Sequence, residues 1–396
     1  MNALQLRKKR VVKARTATVE SSIYNSFNSF NFPRIITKIP FRKTLLLRME
    51  IAPYIHISKN IAATITSFLQ NNTCTKVVVL VDENTKQHCY PFIKNALPAN
   101  HGLIEVKSGE GAKNLQTCTH IWSEMTEMGL DRKALLLNLG GGVIGDMGGF
   151  CAATYKRGIR FAQIPTTLLS MVDASVGGKL GVDFMGYKNH VGVFQEPLGV
   201  LIDPIFLNTL PQRELRSGFA EVLKHSLIAD VNHWNEIKTK NLADFDWASI
   251  IKHSVGIKSY VTTSDPTEKG LRKILNFGHT LGHAVESFYL ELPSKRLLHG
   301  EAIAVGMIVE AWLSKQLGFI AETDLNEITA TFLRVYGKVT IHETDLDAII
   351  THTLQDKKNE NNVVQFALLE NIGKANYEIP VNAAQMKDSL QYYRGL

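Results

Sequence analysis

Two histidines one helical turn apart mark where this chain could do chemistry. Asn276-Phe-Gly-His279-Thr-Leu-Gly-His283 sets two imidazoles at i and i+4, and His299-Gly-Glu301 opens a second helical pattern. The first pair would lie about 6 Å apart along a helix axis. Catalytic Zn²⁺ commonly takes three protein ligands, such as two histidines and a carboxylate, and keeps one position open. A lone histidine is more often structural. Three within 21 residues, with a carboxylate from a neighbouring helix, point to a metal. Spacing alone selects His279 and His283 as the ligand pair. Upstream, Phe219-Ala-Glu221-Val-Leu-Lys224-His225 puts Glu221, Lys224 and His225 on one helix face. That face is either a surface ion pair or half of a metal or catalytic site.

A second chemical region is rich in glycine. Asn138–Gly192 holds 12 of the chain's 28 glycines, interspersed with Asp146, Lys156, Arg157, Thr166, Thr167, Asp173, Lys179, Lys188 and Asn189. Glycine lets backbone N–H groups approach a ligand without a Cβ in the way, which suits a phosphorylated, oxygen-rich molecule. Gly140-x-Gly142-x-x-Gly145 follows the strand-like run Leu135–Leu139 and satisfies the dinucleotide pattern GxGxxG. The acid expected about 20 residues on, for the ribose, is missing. Asp82 and Asn84, directly after the run Lys76–Val81, are candidates for that role; an ordinary turn explains them equally well. Ser108-Gly109-Glu110-Gly111-Ala112-Lys113-Asn114 is similarly either an anion-binding nest before a helix or a plain strand–helix turn. Ser175-Val-Gly-Gly-Lys179 is not a phosphate loop, since Asp173 and Leu180 stand where Gly and Ser/Thr are required. No GxSxG nucleophile elbow is present.

The elements that must position these residues fall into two groups. From Met49 to Leu210, helical segments such as Ile61–Gln70 and Leu115–Met128 alternate with buried strands, including Ile104–Val106 and Phe161–Ile164. From Pro211 to about Thr353 the pattern is mostly helical, followed by strand-like runs at Val363–Leu369 and Asn376–Pro380. Before them, Asp356-Lys357-Lys358-Asn359 offers a lysine pair, either solvated or reaching back to a phosphate. This predicts an α/β domain over 49–210 and a helical domain over 211–396. Residues 1–48 carry eleven Lys/Arg and one acid, Glu20, a charge of +10 that leaves −3 on the rest of a +7 chain. The basic balance belongs to that segment, so nucleic-acid binding loses its main support. The segment is read as a transit peptide or a non-native extension, and the absence of an amphipathic helix favours the second. No apolar run approaches the roughly 18 residues that would span a bilayer. Cys74, Cys89, Cys118 and Cys151 form no CxxC pair, which predicts a reducing, cytoplasmic setting.

Taken together, LGGGVIGDMGGF, YKRG, PTTLL, VDASVGGK, GYKN, FAEVLK, LRKILNFGHTLGHAVE and LHGEAIAVGM, in this order, resemble 3-dehydroquinate synthase over about residues 50–380. The resemblance implies a Rossmann-like NAD-binding α/β domain followed by a mostly α-helical metal-binding domain. It implies Glu221, His279 and His299 as ligands of Zn²⁺, with Co²⁺ as an alternative, and moves His283 to the substrate. NAD contacts are implied at Asp82, Asn84, Gly109, Glu110, Lys113, Gly142, Val143, Ile144, Gly145, Asp146, Thr166, Thr167, Lys179, Lys188 and Thr209. The substrate cage is implied at Asp173, Lys179, Asn189, Lys224, Lys258, Arg272, Asn276 and His283, with Lys357 or Lys358 from the tail. Arg157 is implied to reach the phosphate of a neighbouring subunit in a homodimer. The implied substrate is a sugar phosphate, 3-deoxy-D-arabino-heptulosonate 7-phosphate. The implied reaction is transient NAD-dependent oxidation, phosphate elimination, reduction and intramolecular aldol closure. Lys258 with Arg272 favours a carboxylate-bearing substrate over that of another sugar-phosphate cyclase. A metal- and NAD-dependent polyol dehydrogenase is the other alternative.

Overall fold

The computed structural model describes residues 50–396, apart from 186, 291, 293, 294 and 357–362. The expectations placed on residues 1–48 and on Lys357 and Lys358 lie outside these residues. The first half alternates strand and helix as its apolar runs require. Ile55–Ile57 (β1), Val77–Asp82 (β2), Gly102–Val106 (β3), Leu135–Gly140 (β4) and Arg160–Pro165 (β5) enter one sheet, and Gly199–Ile202 joins it after an intervening hairpin. That hairpin pairs Lys179–Phe184 (β6) with Tyr187–Phe194 (β7) antiparallel, so Gly199–Ile202 is β8. The six-stranded order is β1-β8-β5-β4-β2-β3, with every neighbouring pair parallel. All six residues of β4 are buried, as are the first five of β2. Continuous apolar strands of this kind belong to a parallel sheet covered on both faces.

The strand order also locates a crevice. The chain leaves β2 for β3 on one side, and leaves β4 for β5 on the other, so the order reverses between β2 and β4. Open α/β sheets bind ligands outside the carboxyl ends of the strands at such a switch point. Asp82 closes β2, Gly140 to Gly142 end β4 and start the helix Gly142–Thr154 (α1), and Thr166 and Thr167 follow β5. β2 runs one residue past its apolar stretch because Asp82 also caps the next helix, Glu83–His88.

The second half is built from helices, chiefly Gln212–Ala229 (α2), Trp247–Ser264 (α3), His279–Leu290 (α4) and His299–Gln316 (α5), with Glu322–Tyr336 and Leu346–Asp356 outside them. The antiparallel hairpin of Val363–Asn371 (β9) with Lys374–Asn382 (β10) and the helix Ala383–Gly395 complete it. One continuous apolar cluster runs from Val79, Leu137 and Val200 of the sheet to Phe219, Phe277, Met307 and Tyr393 of the helical half. Among the described residues no helix is long and apolar enough to cross a membrane.

α5 is buried on nearly all sides and approaches its neighbours through glycine. A Cβ on Gly306 would fall 1.9 Å from the carbonyl oxygen of Gly278 and 2.7 Å from the nitrogen of Gly282. A Cβ on Gly300 would fall 1.9 Å from the carbonyl oxygen of Ser217. Backbone therefore touches backbone where α5 meets α4 and α2. Overpacking at such a contact costs roughly 1–3 kcal/mol. Gly306→Ala is expected to lower the thermal midpoint by several degrees and to reduce metal retained on dialysis. Gly395→Ala, with nothing within 4 Å of its added Cβ, should leave both unchanged.

Candidate metal centre and nucleotide crevice

Those close contacts bring three side chains together from three helices. Glu221 lies in α2, His279 starts α4 and His299 starts α5. Glu221 Oε1 is 3.4 Å from His279 Nε2 and 3.6 Å from His299 Nε2. Metal–ligand bonds of about 2.0–2.1 Å put ligand atoms about 3.3 Å apart around a tetrahedral ion, so these two distances suit donors that share a divalent metal. Glu221 is fully buried, and neither of its carboxylate oxygens has an aligned hydrogen-bond donor. The Lys224 ammonium is in ion-pair contact with Oε2, which leaves Oε1 facing the imidazoles. Burial works against the ionised form of Glu221, but the Lys224 charge holds its pKa well below the usual carboxylate range.

The two imidazoles are aimed by different partners. His279 Nδ1 is 3.1 Å from the Phe277 carbonyl, which fixes that nitrogen as the donor and frees Nε2. Burial, followed by the Lys224 charge, pushes the His279 pKa well down, so the ring is in its neutral, ligating form. His299 Nδ1 faces Glu286 at 3.3 Å. Burial opposes its imidazolium, but Glu286 and Glu221 outweigh it and raise the pKa to about 9.

His283 is the histidine that spacing favoured. It shares the cluster, since one ring nitrogen of each of His279, His283 and His299 lies within 4.8 Å of the others. One observation argues for the set containing Glu221: its carboxylate is buried with no aligned hydrogen-bond donor, whereas His283 is exposed. A one-helix spacing rule sees only i and i+4, whereas Glu221 approaches from another helix. Asp173, Glu221 and His225 also converge within 4.8 Å. The ammonium groups of Lys258 and Lys224 already balance that charge, so this second group reads as an ion-pair network. Glu301 is committed elsewhere, accepting from Arg213 Nε at 2.8 Å and NH2 at 2.7 Å.

The candidate cage residues gather beside this centre, and many of them pair with one another. A π-helical turn over Ser170–Ala174 presents Asp173, a local irregularity often found at functional sites. Lys258 Nζ donates to both the carbonyl and Oδ1 of Asp173 at 2.6 Å. Burial opposes ionised Asp173, yet Lys258 and Lys224 hold its pKa far below the usual value. Arg272, buried, donates to the carbonyls of Pro266 and Gly177 at 2.7 and 2.9 Å. Asn276 Nδ2 donates to Glu268 at 2.6 Å, and Lys179 ion-pairs with the same carboxylate. Glu268 sits at φ +59, in the left-handed region where a side chain is strained.

The nucleotide candidates line the switch-point crevice. Asp82 Oδ1 accepts from the Thr85 N–H at 2.7 Å, so the turn explanation holds for that oxygen. Asn84 is exposed one residue into the same helix as Glu83, which in turn holds the Ser108 backbone N–H and hydroxyl at 2.9 and 2.6 Å. Gly109 takes φ +89 and leads into a short 3₁₀ turn, Glu110–Ala112. Lys113 is buried and donates to Asp146 at 2.6 Å and Asn189 at 2.5 Å. Asn189 is thereby joined to the crevice as well as to the cage. Val143, Ile144 and Gly145 lie in the first turns of α1, whose N-terminus opens on the crevice. Thr166 and Thr209 meet at the thiol of Cys89, which burial and Asp82 push up to about 12. Arg157 stands apart. It occupies a turn with Lys156, Arg157 and Gly158 at φ +50, +67 and +110, leading into the amino end of β5, away from Thr166. With Arg132 and Arg160 it lines a cavity of about 480 Å³.

Three carboxylates were not singled out from the sequence. Glu310 of α5 accepts from the N–H groups of Gly278 and Leu281 at 2.6 and 3.0 Å, and so anchors the start of α4 beneath His279. Glu268 holds Lys179 and Asn276, and Glu286 holds His299 and Lys188. Only Glu286 carried a signal, because it falls at i+7 from His279 and i+3 from His283, on the same helix face.

Comparison with known proteins places the chain in one family. Profiles of the 3-dehydroquinate synthase N-terminal and C-terminal regions match residues 103–217 and 218–359. The 3-dehydroquinate synthase of Parabacteroides distasonis is 38% identical over 343 residues, covering 85% of this chain and 97% of its own. That of a Sulfurovum species is 38% identical over 353 residues, covering 88% and 99%. Among solved structures, 2-epi-5-epi-valiolone synthase from Streptomyces hygroscopicus, with NAD⁺ and Zn²⁺ bound, superposes with a TM-score of 0.77 at 25% identity, covering 87% of this chain and 98% of that one. An NADH-dependent butanol dehydrogenase from Thermotoga maritima shares the fold alone, with a TM-score of 0.63 at 14% identity over 85% and 96% of the two chains. On the sequence identity and its extent, the chain belongs to the 3-dehydroquinate synthase family.

Proposed function

We infer that this chain converts 3-deoxy-D-arabino-heptulosonate 7-phosphate into 3-dehydroquinate and inorganic phosphate, the second step of the shikimate pathway. The observation that carries the site assignment is the buried carboxylate of Glu221, with no aligned hydrogen-bond donor, facing Nε2 of His279 and of His299. Glu221, His279 and His299 hold the divalent metal, with Zn²⁺ or Co²⁺ suited to the nitrogen and oxygen donors. NAD occupies the crevice between the carboxyl ends of β2 and β4, a reading supported by the NAD⁺-bound relative of the same fold. When bound, the metal supplies Lewis acidity to substrate oxygens, and the nucleotide accepts and returns a hydride.

The chain's own residues bind and orient. Lys258 and Arg272 are the cations for the substrate carboxylate, Arg272 through its planar fork. Lys179, Asn189 and Asn276 surround the sugar phosphate, and His283, exposed beside the metal ligands, faces the substrate. Asp173 stays ionised and keeps the charges of Lys224 and Lys258 in place within a buried site. Arg157, placed away from its own chain's cage, serves the phosphate of a second copy in a homodimer. The free state of all four cysteines suits a reducing cytoplasm.

Incubation with the heptulosonate phosphate, NAD⁺ and Zn²⁺ should release phosphate and dehydroquinate in equal amounts with no net NADH. Stoichiometric NADH without phosphate would instead identify a polyol dehydrogenase, and turnover only of a sugar phosphate lacking a carboxylate would identify another cyclase. His279→Ala should lose both metal and activity, whereas His283→Ala should keep its metal and lose turnover. Equal metal loss in the two variants would overturn the ligand assignment. Subunits carrying Arg157→Ala and His279→Ala, each inactive alone, should recover activity on co-expression, because one composite site then has both residues. No recovery would mean that Arg157 does not act across subunits.

A further inference from the structure

His299 is aimed by a carboxylate that family membership does not assign. Its Nδ1–H donates to Glu286 Oε2 over 3.3 Å, and Glu286 is buried on α4. The other oxygen of Glu286 accepts from Lys188 Nζ at 2.6 Å. Lys188, on β7, also lies 3.2 Å from Glu110 Oε1 in the short turn after β3 that carries candidate nucleotide contacts. Each link is partly or fully buried, with side-chain exposures of 20% for Glu110, 24% for Lys188 and 7% for Glu286, so salt screens it little.

We propose that Glu286 is the positioning residue for the metal ligand His299, and that Lys188 ties this carboxylate to the Glu110 loop. The metal centre and the nucleotide crevice then share one chain of charge-assisted hydrogen bonds. Fixing Nδ1–H on a partner leaves the Nε2 lone pair for the metal and sets the ring plane. A carboxylate also makes the imidazole a stronger donor than a backbone carbonyl does, which distinguishes His299 from His279. Because Glu110, Lys188 and Glu286 come from a loop, a strand and a helix, the link also sets how the β6–β7 hairpin lies against α4.

This inference rests on the ligand set Glu221, His279 and His299, and its test separates the two. Metal dissociation constants are measured on the metal-depleted full chain by competition with a chromophoric chelator, for Zn²⁺ and Co²⁺. Loss of a hydrogen-bonded partner behind a ligating histidine weakens metal binding roughly 10- to 100-fold. That loss is expected for Glu286→Gln, together with a changed Co²⁺ absorption spectrum. Lys188→Met should weaken the metal roughly threefold or more although it touches no ligand, and should add nothing in a Glu286→Gln background. If Glu286→Gln does not fold, Lys188→Met decides alone. Metal affinity within twofold of the parent in every folded variant overturns the inference, and a Lys188→Met effect that persists in the double variant overturns its Lys188 limb. His279→Ala is the control: if it keeps its metal, the ligand reading itself has failed.

Discussion

A carboxylate buried away from water is the constraint to which the site is fitted. Glu221 stays ionised because the Lys224 ammonium offsets it, while His279 and His299 face its other oxygen, and each must come from a fixed place. An isolated buried charge costs several kcal/mol, so the surrounding helices cannot drift without exposing that cost. The backbone contacts at Gly300 and Gly306 bring α2, α4 and α5 to the required separation. Glu310 then anchors the start of α4 from α5, so that the same helix pair aims His279.

On the proposed assignment, the Gly-rich stretch from Asn138 to Gly192 is a wall shared by two ligands. Its first third ends β4, starts α1 and lines the crevice. Its later part carries Asp173 and Lys179 toward the helical half. Asn189 belongs to both sides because Lys113 holds it beside Asp146. The wall is a single piece of backbone, so a shift at one ligand is felt at the other.

Much of this was legible in the sequence, for physical reasons that differ between residues. The strands were readable because a sheet covered on both faces demands unbroken apolar runs, and β2 and β4 supply them. The helical half was readable from its 3.6-residue period. His279 and His299 were visible as chemistry, but spacing paired His279 with His283, because periodicity cannot see which side chain arrives from another helix. Asp82 left two readings open, and the fold shows one oxygen used as a cap. Glu268 and Glu310 gave no local sign, since the first lies in a polar turn and the second in an apolar helix. Their partners are close only after folding.

The pairing of the cage residues with one another has a consequence for affinity. Lys179 and Asn276 already hold Glu268, and Lys258 already holds Asp173. An arriving anion therefore exchanges with an internal carboxylate instead of filling an empty positive pocket. The net gain is the difference between two strong attractions, which keeps it small even though each attraction is large. On the proposed assignment, once the phosphate breaks free of the sugar, Glu268 is at hand to pair again with Lys179 and Asn276.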